Sequence, residues 1–204
     1  IRLKNFKKIK KSFKINFEYI LYFGSMIQRK GVFILSKVLK SVEKRHKNIH
    51  FLFVGSDSRQ NFKSAKKKIL NENYEIKRKL HFLPSLRHEF LYPIIKNAKI
   101  IVMPTYIDTV PSASLESMSN GGVLLGSNNS SLEEYVKDNE NGFLFDNGKV
   151  VSLKKKIFKI LKISKLKISN IRKNSKKDLK KNFSSKNINS FIKIVRKLDE
   201  NKFF

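Results

Sequence analysis

Two short segments of the sequence combine residue types that bind anions. The first, residues 24–31, reads Gly-Ser-Met-Ile-Gln-Arg-Lys-Gly and follows an apolar run. A glycine at the end of a strand lets the backbone approach a ligand closely, and the cation of Lys30 at the start of a helix adds to an anion-friendly position. This segment therefore predicts a phosphate-binding turn, with a solvated Lys-Gly turn as the alternative.

The second segment, residues 108–121, places two acids around the start of a helix. Asp108 and Glu116 are separated by seven residues, and good helix formers follow from Ser112 to the glycines at 121–122. The first N–H groups of a helix are free to bind phosphate oxygens, and Glu116 lies about one turn in, where its carboxylate can accept hydrogen bonds. An alternative is that Glu116 only stabilises the helix dipole.

A third segment, residues 131–145, reads Ser-Leu-Glu-Glu-Tyr-Val-Lys-Asp-Asn-Glu-Asn-Gly-Phe-Leu-Phe. Asn141-Gly142 is typical of a turn between a short helix and an apolar strand. We interpret this segment as scaffold.

In this order, the three segments resemble the carboxy-terminal domain of family 4 glycosyltransferases, also called the glycosyl transferases group 1 domain. The resemblance covers about residues 19–163, with Glu134 at the acid of the third motif. It implies a Rossmann-like parallel sheet with helices on both faces, the carboxy-terminal half of a GT-B fold. It also implies a retaining transferase that takes a sugar from a nucleoside diphosphate donor.

The resemblance assigns roles to individual residues. It gives Lys30 to the donor diphosphate, Asp108 to the transferred sugar and Glu116 to the ribose, so that Lys30 and Asp108 are the expected catalytic residues. The expected donor-binding residues are Gly24, Ser25, Lys30, Val110, Pro111, Ser112, Ala113 and Glu116. Two positions depart from the family, because Ser25 replaces its arginine and Asp108 is one methylene shorter than its usual glutamate.

The sequence predicts no metal site and no cofactor apart from the nucleotide sugar itself. Cysteine is absent, and no Asp-x-Asp pair occurs. The four histidines, His46, His50, His81 and His88, show no metal-ligand spacing on one helix face. Walker, Gly-x-Gly-x-x-Gly and Gly-x-Ser-x-Gly motifs are absent as well.

Alternating apolar strands and amphipathic helices must position these segments. Strands are predicted at 19–24, 49–55, 80–83, 99–104, 123–126 and 142–145, and helices at 31–46, 60–71, 88–97, 112–120 and 131–136. Because the strands are almost continuously apolar, they predict a parallel α/β sheet covered on both faces. Ligands of such sheets bind beyond the carboxyl ends of the strands, where the loops after Gly24, Gly55, Leu83 and Pro104 are expected to cluster.

Charge divides the chain into three parts. The formal charge of +29 comprises +7 in residues 1–17, +6 in 18–148 and +16 in 149–204. We predict a basic linker, or the end of a missing amino-terminal domain, at 1–17. A nucleotide-sugar-binding domain follows at 18–163 and a basic helical tail at 164–204.

The expected partners are a nucleotide-sugar donor, a glycan or lipid-linked acceptor and an amino-terminal acceptor domain. Chemistry alone leaves two other classes open. One is a non-catalytic, degenerate transferase module, because Ser25 and Asp108 depart from the family. The other is a protein whose basic flanks bind a membrane surface or nucleic acid, although no nucleic-acid-reading motif is present. The absence of cysteine and of an 18-residue apolar run fits a cytoplasmic protein. On one interpretation, this protein associates peripherally with a membrane.

Overall fold

The computed structural model describes residues 11–57, 59–60, 63–107, 112–128 and 131–182. Its centre is a six-stranded sheet in the order β5-β2-β1-β6-β7-β8, in which every paired strand is parallel. The strands are β1 (Glu18–Phe23), β2 (Ile49–Val54), β5 (Leu80–Leu83), β6 (Ile100–Met103), β7 (Leu124–Ser127) and β8 (Phe143–Phe145). The predicted α/β parallel sheet is confirmed.

Within the described residues, seven α-helices connect or flank these strands. They are α1 (Val32–Ser36), α2 (Leu39–Arg45), α3 (Ala65–Glu72), α4 (His88–Asn97), α5 (Ser112–Ser119), α6 (Val150–Leu161) and α7 (Lys165–Asn182). Short 3₁₀ turns span Gln28–Lys30, Tyr74–Lys79 and Ser131–Glu134. A hairpin of two-residue strands, β3 (Arg59–Gln60) and β4 (Lys63–Ser64), precedes α3.

Two differences from the sequence prediction have local causes. The helix predicted over 31–46 is divided into α1 and α2 at Lys37–Val38, and the division lets Val38, in the bend, and Leu39, directly after it, both be fully buried. The helix predicted over 60–71 starts only at Ala65, because the hydroxyl of Ser64 caps it by accepting from the N–H of Lys67 at 3.1 Å.

The apolar residues on the two faces of the sheet form two separate clusters. On one face, α1, α2, α3 and α6 cover Ile20, Phe51 and Val102. On the other, α4 and α5 cover Leu21 and Ile101. Helices on both faces explain why the strands read as continuous apolar runs rather than alternating ones.

The last described helix, α7, closes this arrangement. Ile171 joins the first cluster and Leu179 the second. Between them, the Arg172 guanidinium donates to the carbonyl oxygens of Lys96 at 2.6 Å, Ala98 at 3.0 Å and Gly121 at 2.7 Å. The division at 17 and 163 stays a prediction, and α7 packs directly on the predicted domain.

Within the described ranges, no helix is both long enough and apolar enough to cross a membrane.

Candidate functional site

The sheet changes direction between β1 and β6. From β1 the chain moves outward to β2 and β5, then returns to the other side of β1 and moves outward through β6, β7 and β8. At such a switch point the loops beyond the carboxyl ends of the two strands separate and leave a crevice for ligands. The segments predicted to bind the donor follow β1 and β6, so the topology brings them to this crevice.

The loop after β1 is fixed directly against the end of β6. Gly31 has a left-handed φ of 71°, and a Cβ at this position would lie 1.7 Å from the carbonyl oxygen of Pro104. Nearby, the N–H of Tyr106 donates to the carbonyl oxygen of Arg29 at 3.0 Å. Lys30 lies between these two contacts in the chain and is partly exposed.

Neighbouring loops hold the beginning of the same turn. The Gly24 N–H donates to the carbonyl oxygen of Val54 at 2.9 Å, and the N–H of Met26 donates to that of Ser56 at 3.0 Å. The carbonyl oxygen of Ser25 accepts a hydrogen bond from the Tyr22 hydroxyl at 2.7 Å. The Ser25 hydroxyl accepts one from the Ser56 hydroxyl at 3.3 Å. The expected clustering of loops at this edge is confirmed for those after β1, β2 and β6.

Glu116 is the fifth residue of α5, and its carboxylate turns toward the start of α4. Its Oε1 lies 3.9 Å from Nε2 of His88, whose ring stacks on Tyr92 at 5.0 Å between centroids. Burial and the neighbouring Glu116 carboxylate raise the pKa of Tyr92. Since the dipole effect fades beyond the first turn of a helix, this position weighs against a purely dipole-stabilising role for Glu116.

A buried hydrogen bond fixes helix α5 to the rest of the domain. The hydroxyls of Ser114 and Tyr135 are 2.8 Å apart in the interior. Within the helix, the Ser117 hydroxyl donates to the carbonyl oxygen of Ala113 at 2.8 Å. Ser112 is exposed at the first turn and Ala113 is partly buried. Asp108, Val110 and Pro111 lie outside the described residues.

The histidine pair His50 and His81 lies at the opposite, amino end of the sheet. His50 Nδ1 is 2.8 Å from His81 Nε2, and Phe17 stacks on both rings. Burial, followed by the charge of Lys79 and by His81, lowers the pKa of His50 to about 4. Among the residues that the structure describes, no group of three side chains could hold a metal ion.

Two asparagines at the crevice were not identified from the sequence. Asn147, beyond β8, donates from Nδ2 to the carbonyl oxygen of Tyr106 at 2.8 Å, and Asn128, beyond β7, accepts from the Asn147 N–H at 2.9 Å. The Asn-Gly pair at 147–148, directly after an apolar strand, was the available signal.

Comparisons with known proteins agree with this topology. Residues 4–178 match the family described as glycosyl transferases group 1. No curated protein sequence matches the chain significantly.

Three solved structures illustrate the fold similarity. A glycosyltransferase from Rickettsia africae superposes with a TM-score of 0.82 at 18% identity over 96% of this chain and 53% of its own. Anabaena HepE, solved with UDP and glucose, gives 0.81 at 18% identity over 98% and 53%. The carboxy-terminal domain of the Francisella tularensis group 1 protein LpcC gives 0.74 at 16% identity over 86% and 91%.

The chain thus spans about half the length of the first two proteins and corresponds to most of the third. At these identities the similarity concerns the fold, which is the carboxy-terminal half of a GT-B arrangement.

Proposed function

Because the chain belongs to the glycosyl transferases group 1 family, we propose that it binds the nucleoside diphosphate sugar of a retaining glycosyl transfer. The observation that carries this proposal is the contact between the loops after β1 and β6 at the switch point, through Gly31 with Pro104 and Arg29 with Tyr106. Lys30 lies between these two contacts in the chain. We infer that its cation and the start of α5 face this one crevice, an arrangement that suits a diphosphate.

The proposal assigns a role to each candidate residue. Lys30 and the backbone N–H groups of Val110, Ser112 and Ala113 are assigned to stabilise the charge that develops on the departing diphosphate. Pro111 has no N–H and so contributes only shape. Gly24 and Ser25 admit the phosphates. Asp108 orients the sugar, and Glu116 accepts hydrogen bonds from the ribose hydroxyls.

The acceptor belongs to the same proposal. In the transfer, the bond from the anomeric carbon to the diphosphate breaks, and that carbon forms a bond to the oxygen of an acceptor hydroxyl with retained configuration. The hydroxyl proton leaves with the departing diphosphate. A glycan or a lipid-linked glycan supplies that hydroxyl. We propose that a separate amino-terminal domain holds it across the crevice, because the chain spans only about half the length of the Rickettsia africae and Anabaena proteins.

Calorimetry on the chain tests donor binding. A panel of uridine, guanosine and adenosine diphosphate sugars is expected to contain at least one saturable ligand. Glu116→Ala is expected to weaken its binding by about 1.5–3 kcal/mol, the range for hydrogen bonds to charged groups. Glu140→Ala is the matched control, because it removes an exposed carboxylate in the turn before β8, at the opposite edge.

Two results would count against the proposed function. Silence of the folded protein across the panel contradicts the donor site. Saturable binding without transfer by the protein with its acceptor domain favours the non-catalytic module that Ser25 and Asp108 suggest.

A lysine-lined groove favours a second candidate function, binding to an anionic membrane surface. The groove, of about 570 Å³, is lined by Asp146, Lys149, Val151, Ser152, Lys155, Lys156 and Lys159. Val151 is 58% exposed among these cations, a combination that suits a lipid headgroup with adjoining acyl chain. Each lysine near anionic lipid contributes about 1 kcal/mol, so several together suffice for recruitment.

Vesicle sedimentation distinguishes recruitment from a merely lysine-rich composition. Recruitment predicts binding to anionic vesicles that fades with salt, is absent with neutral vesicles and is weakened by Lys155→Glu with Lys159→Glu. A single control reversal at exposed Lys37, outside the groove, is expected to have a smaller effect. Equal binding to both vesicle types contradicts the proposal.

A further inference from the structure

A histidine of α4 faces the carboxylate that the proposed function assigns to the ribose. His88 is the first residue of α4 and Glu116 is the fifth residue of α5. Because α4 follows β5 and α5 follows β6, both helices begin at the carboxyl edge of the sheet. Nε2 of His88 lies 3.9 Å from Oε1 of Glu116. At this separation the two groups form an ion pair when His88 is protonated, but they do not share a hydrogen bond.

Tyr92 fixes the orientation of the His88 ring. The two residues are about one helical turn apart on α4, and their rings stack at 5.0 Å between centroids with 9° between the ring planes. Tyr92 in turn packs against the apolar cluster that α4 and α5 cover. The imidazole is therefore held from the core outward, although 67% of the His88 side chain is exposed.

The backbone of Glu116 is fixed by hydrogen bonds within α5. Its carbonyl oxygen accepts from Nδ2 of Asn120 at 2.9 Å and from the Ser119 hydroxyl at 3.0 Å. For its carboxylate, His88 is the one ion-pair partner among the residues that the structure describes. A glutamate side chain that samples several rotamers loses entropy when a ligand orders it. A cation that attracts the carboxylate before the ligand arrives reduces that loss.

The other charged and titratable groups at the start of α4 do not compete for the Glu116 carboxylate. Arg87 pairs with Glu89 of its own helix at 2.7 Å. Burial, followed by the charge of Glu116, raises the pKa of Tyr92, so its hydroxyl stays neutral at physiological pH. An exposed pair such as that of His88 and Glu116 contributes little to the stability of the fold, so its effect is expected in ligand binding.

We propose that His88 is a positioning residue that holds the Glu116 carboxylate ready for the ribose of the donor. A carboxylate has about four lone-pair sites, so one that faces His88 still accepts hydrogen bonds from ribose hydroxyls. The imidazolium also adds positive charge beside a ligand whose diphosphate is a dianion. This inference rests on the proposed donor function and adds to it a dependence on the protonation of one residue.

The pH dependence of donor affinity tests this role. Histidine side chains change their charge between about pH 5 and pH 8, so the ion pair weakens as the pH rises from about 6 to about 8. Calorimetry with UDP-glucose is expected to give an affinity about two- to fivefold higher at the lower pH, the range for exposed ion pairs. The diphosphate of a nucleotide sugar is ionised throughout, so the ligand itself does not titrate. If the panel identifies another nucleotide sugar, that compound replaces UDP-glucose.

Two substitutions at His88 separate its charge from its shape. His88→Phe keeps a ring that stacks on Tyr92 but has no nitrogen to face Glu116, so its affinity is expected to stay low and independent of pH. His88→Arg keeps a cation at both pH values and also stacks on the Tyr92 ring. Its affinity is expected to stay at the higher level, again without pH dependence.

Glu89→Gln is the matched control. It removes a charge at the next position of α4, where the carboxylate pairs with Arg87 rather than with His88. The pH dependence of donor affinity is expected to remain in this variant. Burial lowers the pKa of the other histidines, so their protonation contributes less in this window. These histidines are His46, His50 and His81.

The failure of this role and the failure of the donor site give different results. Wild-type protein that binds the nucleotide sugar equally well at both pH values overturns the role of His88 and leaves the donor site standing. The same conclusion follows if His88→Phe retains the wild-type pH dependence, with or without a uniform loss of affinity. Wild-type protein that binds no member of the panel overturns the donor site itself.

Discussion

At the scale of single residues, Gly31 is the most constrained position of the crevice. Its φ of 71° is left-handed, and the missing Cβ leaves room for the Pro104 carbonyl. Gly148 has almost the same φ, 72°, but the nearest atom to its Cβ position is a Tyr106 ring carbon at 3.4 Å. The two glycines separate the cost of the backbone conformation from the cost of the close contact.

Gly31→Ala is therefore expected to lower the free energy of unfolding by about 2–5 kcal/mol, from left-handed strain and a backbone clash together. Gly148→Ala is expected to cost only about 1–2 kcal/mol, from the strain alone. Urea unfolding followed by circular dichroism measures both. Equal losses contradict the importance of the contact with Pro104.

Sequence predicted the types of residue at the site better than their arrangement. The motifs proposed Lys30 and Glu116 as candidates, because both belong to local patterns of one turn or one helix. They did not identify Asn147, since its bond to Tyr106 joins residues 41 positions apart. Nor did they indicate that His88 faces Glu116, because that contact depends on how two helices pack.

At the scale of elements, one side chain of α7 binds the carboxyl ends of both α4 and α5. The Arg172 guanidinium donates to the carbonyl oxygens of Lys96 and Ala98 at the end of α4 and to that of Gly121, just after α5. A cation at a helix carboxyl end is stabilising, and here one guanidinium serves two ends. The periodicity of the sequence predicted α7 as a helix but not this contact.

Arg172→Met is expected to lower the free energy of unfolding by about 2–4 kcal/mol, because three carbonyl groups, two of them in partly buried bonds, lose a charged donor. Lys173→Met, at the next and exposed position, is expected to change it by less than about 0.5 kcal/mol. Chemical denaturation of the full chain gives both values. A stability loss for Lys173→Met as large as that for Arg172→Met contradicts the capping role.

At the scale of the whole molecule, charge and burial act in the same direction as the pH falls. The formal charge is already +29 at pH 7, and acid increases it by neutralising carboxylates. The pair of His50 and His81 adds a specific effect, because burial and Lys79 lower the pKa of both rings. Phe17 covers the pair, so a proton there also disturbs the packing of the amino-terminal segment.

The sign of the pH effect follows from these shifts. The unfolded chain takes up a proton at His50 from about pH 6.5 downward, whereas the folded protein resists it until about pH 4. The contribution of the neutral pair is thus complete above the unfolded pKa and is lost as the pH falls through this window. Urea midpoints are expected to drop between pH 7 and pH 4.5, and His50→Gln is expected to make the drop shallower. An unchanged pH dependence in His50→Gln contradicts the role of the pair.

The position of Arg172 in the chain also sets when its hydrogen bonds can form during translation. Its acceptors at Lys96, Ala98 and Gly121 are made 76, 74 and 51 residues before it. At about 5–20 residues per second, those carbonyl groups remain hydrated for roughly 3–15 s after synthesis. During that interval the apolar face beneath α7 is open to solvent on the nascent chain. That face is therefore covered only after α7 has been synthesised, and an arrest before residue 172 leaves it available to chaperones.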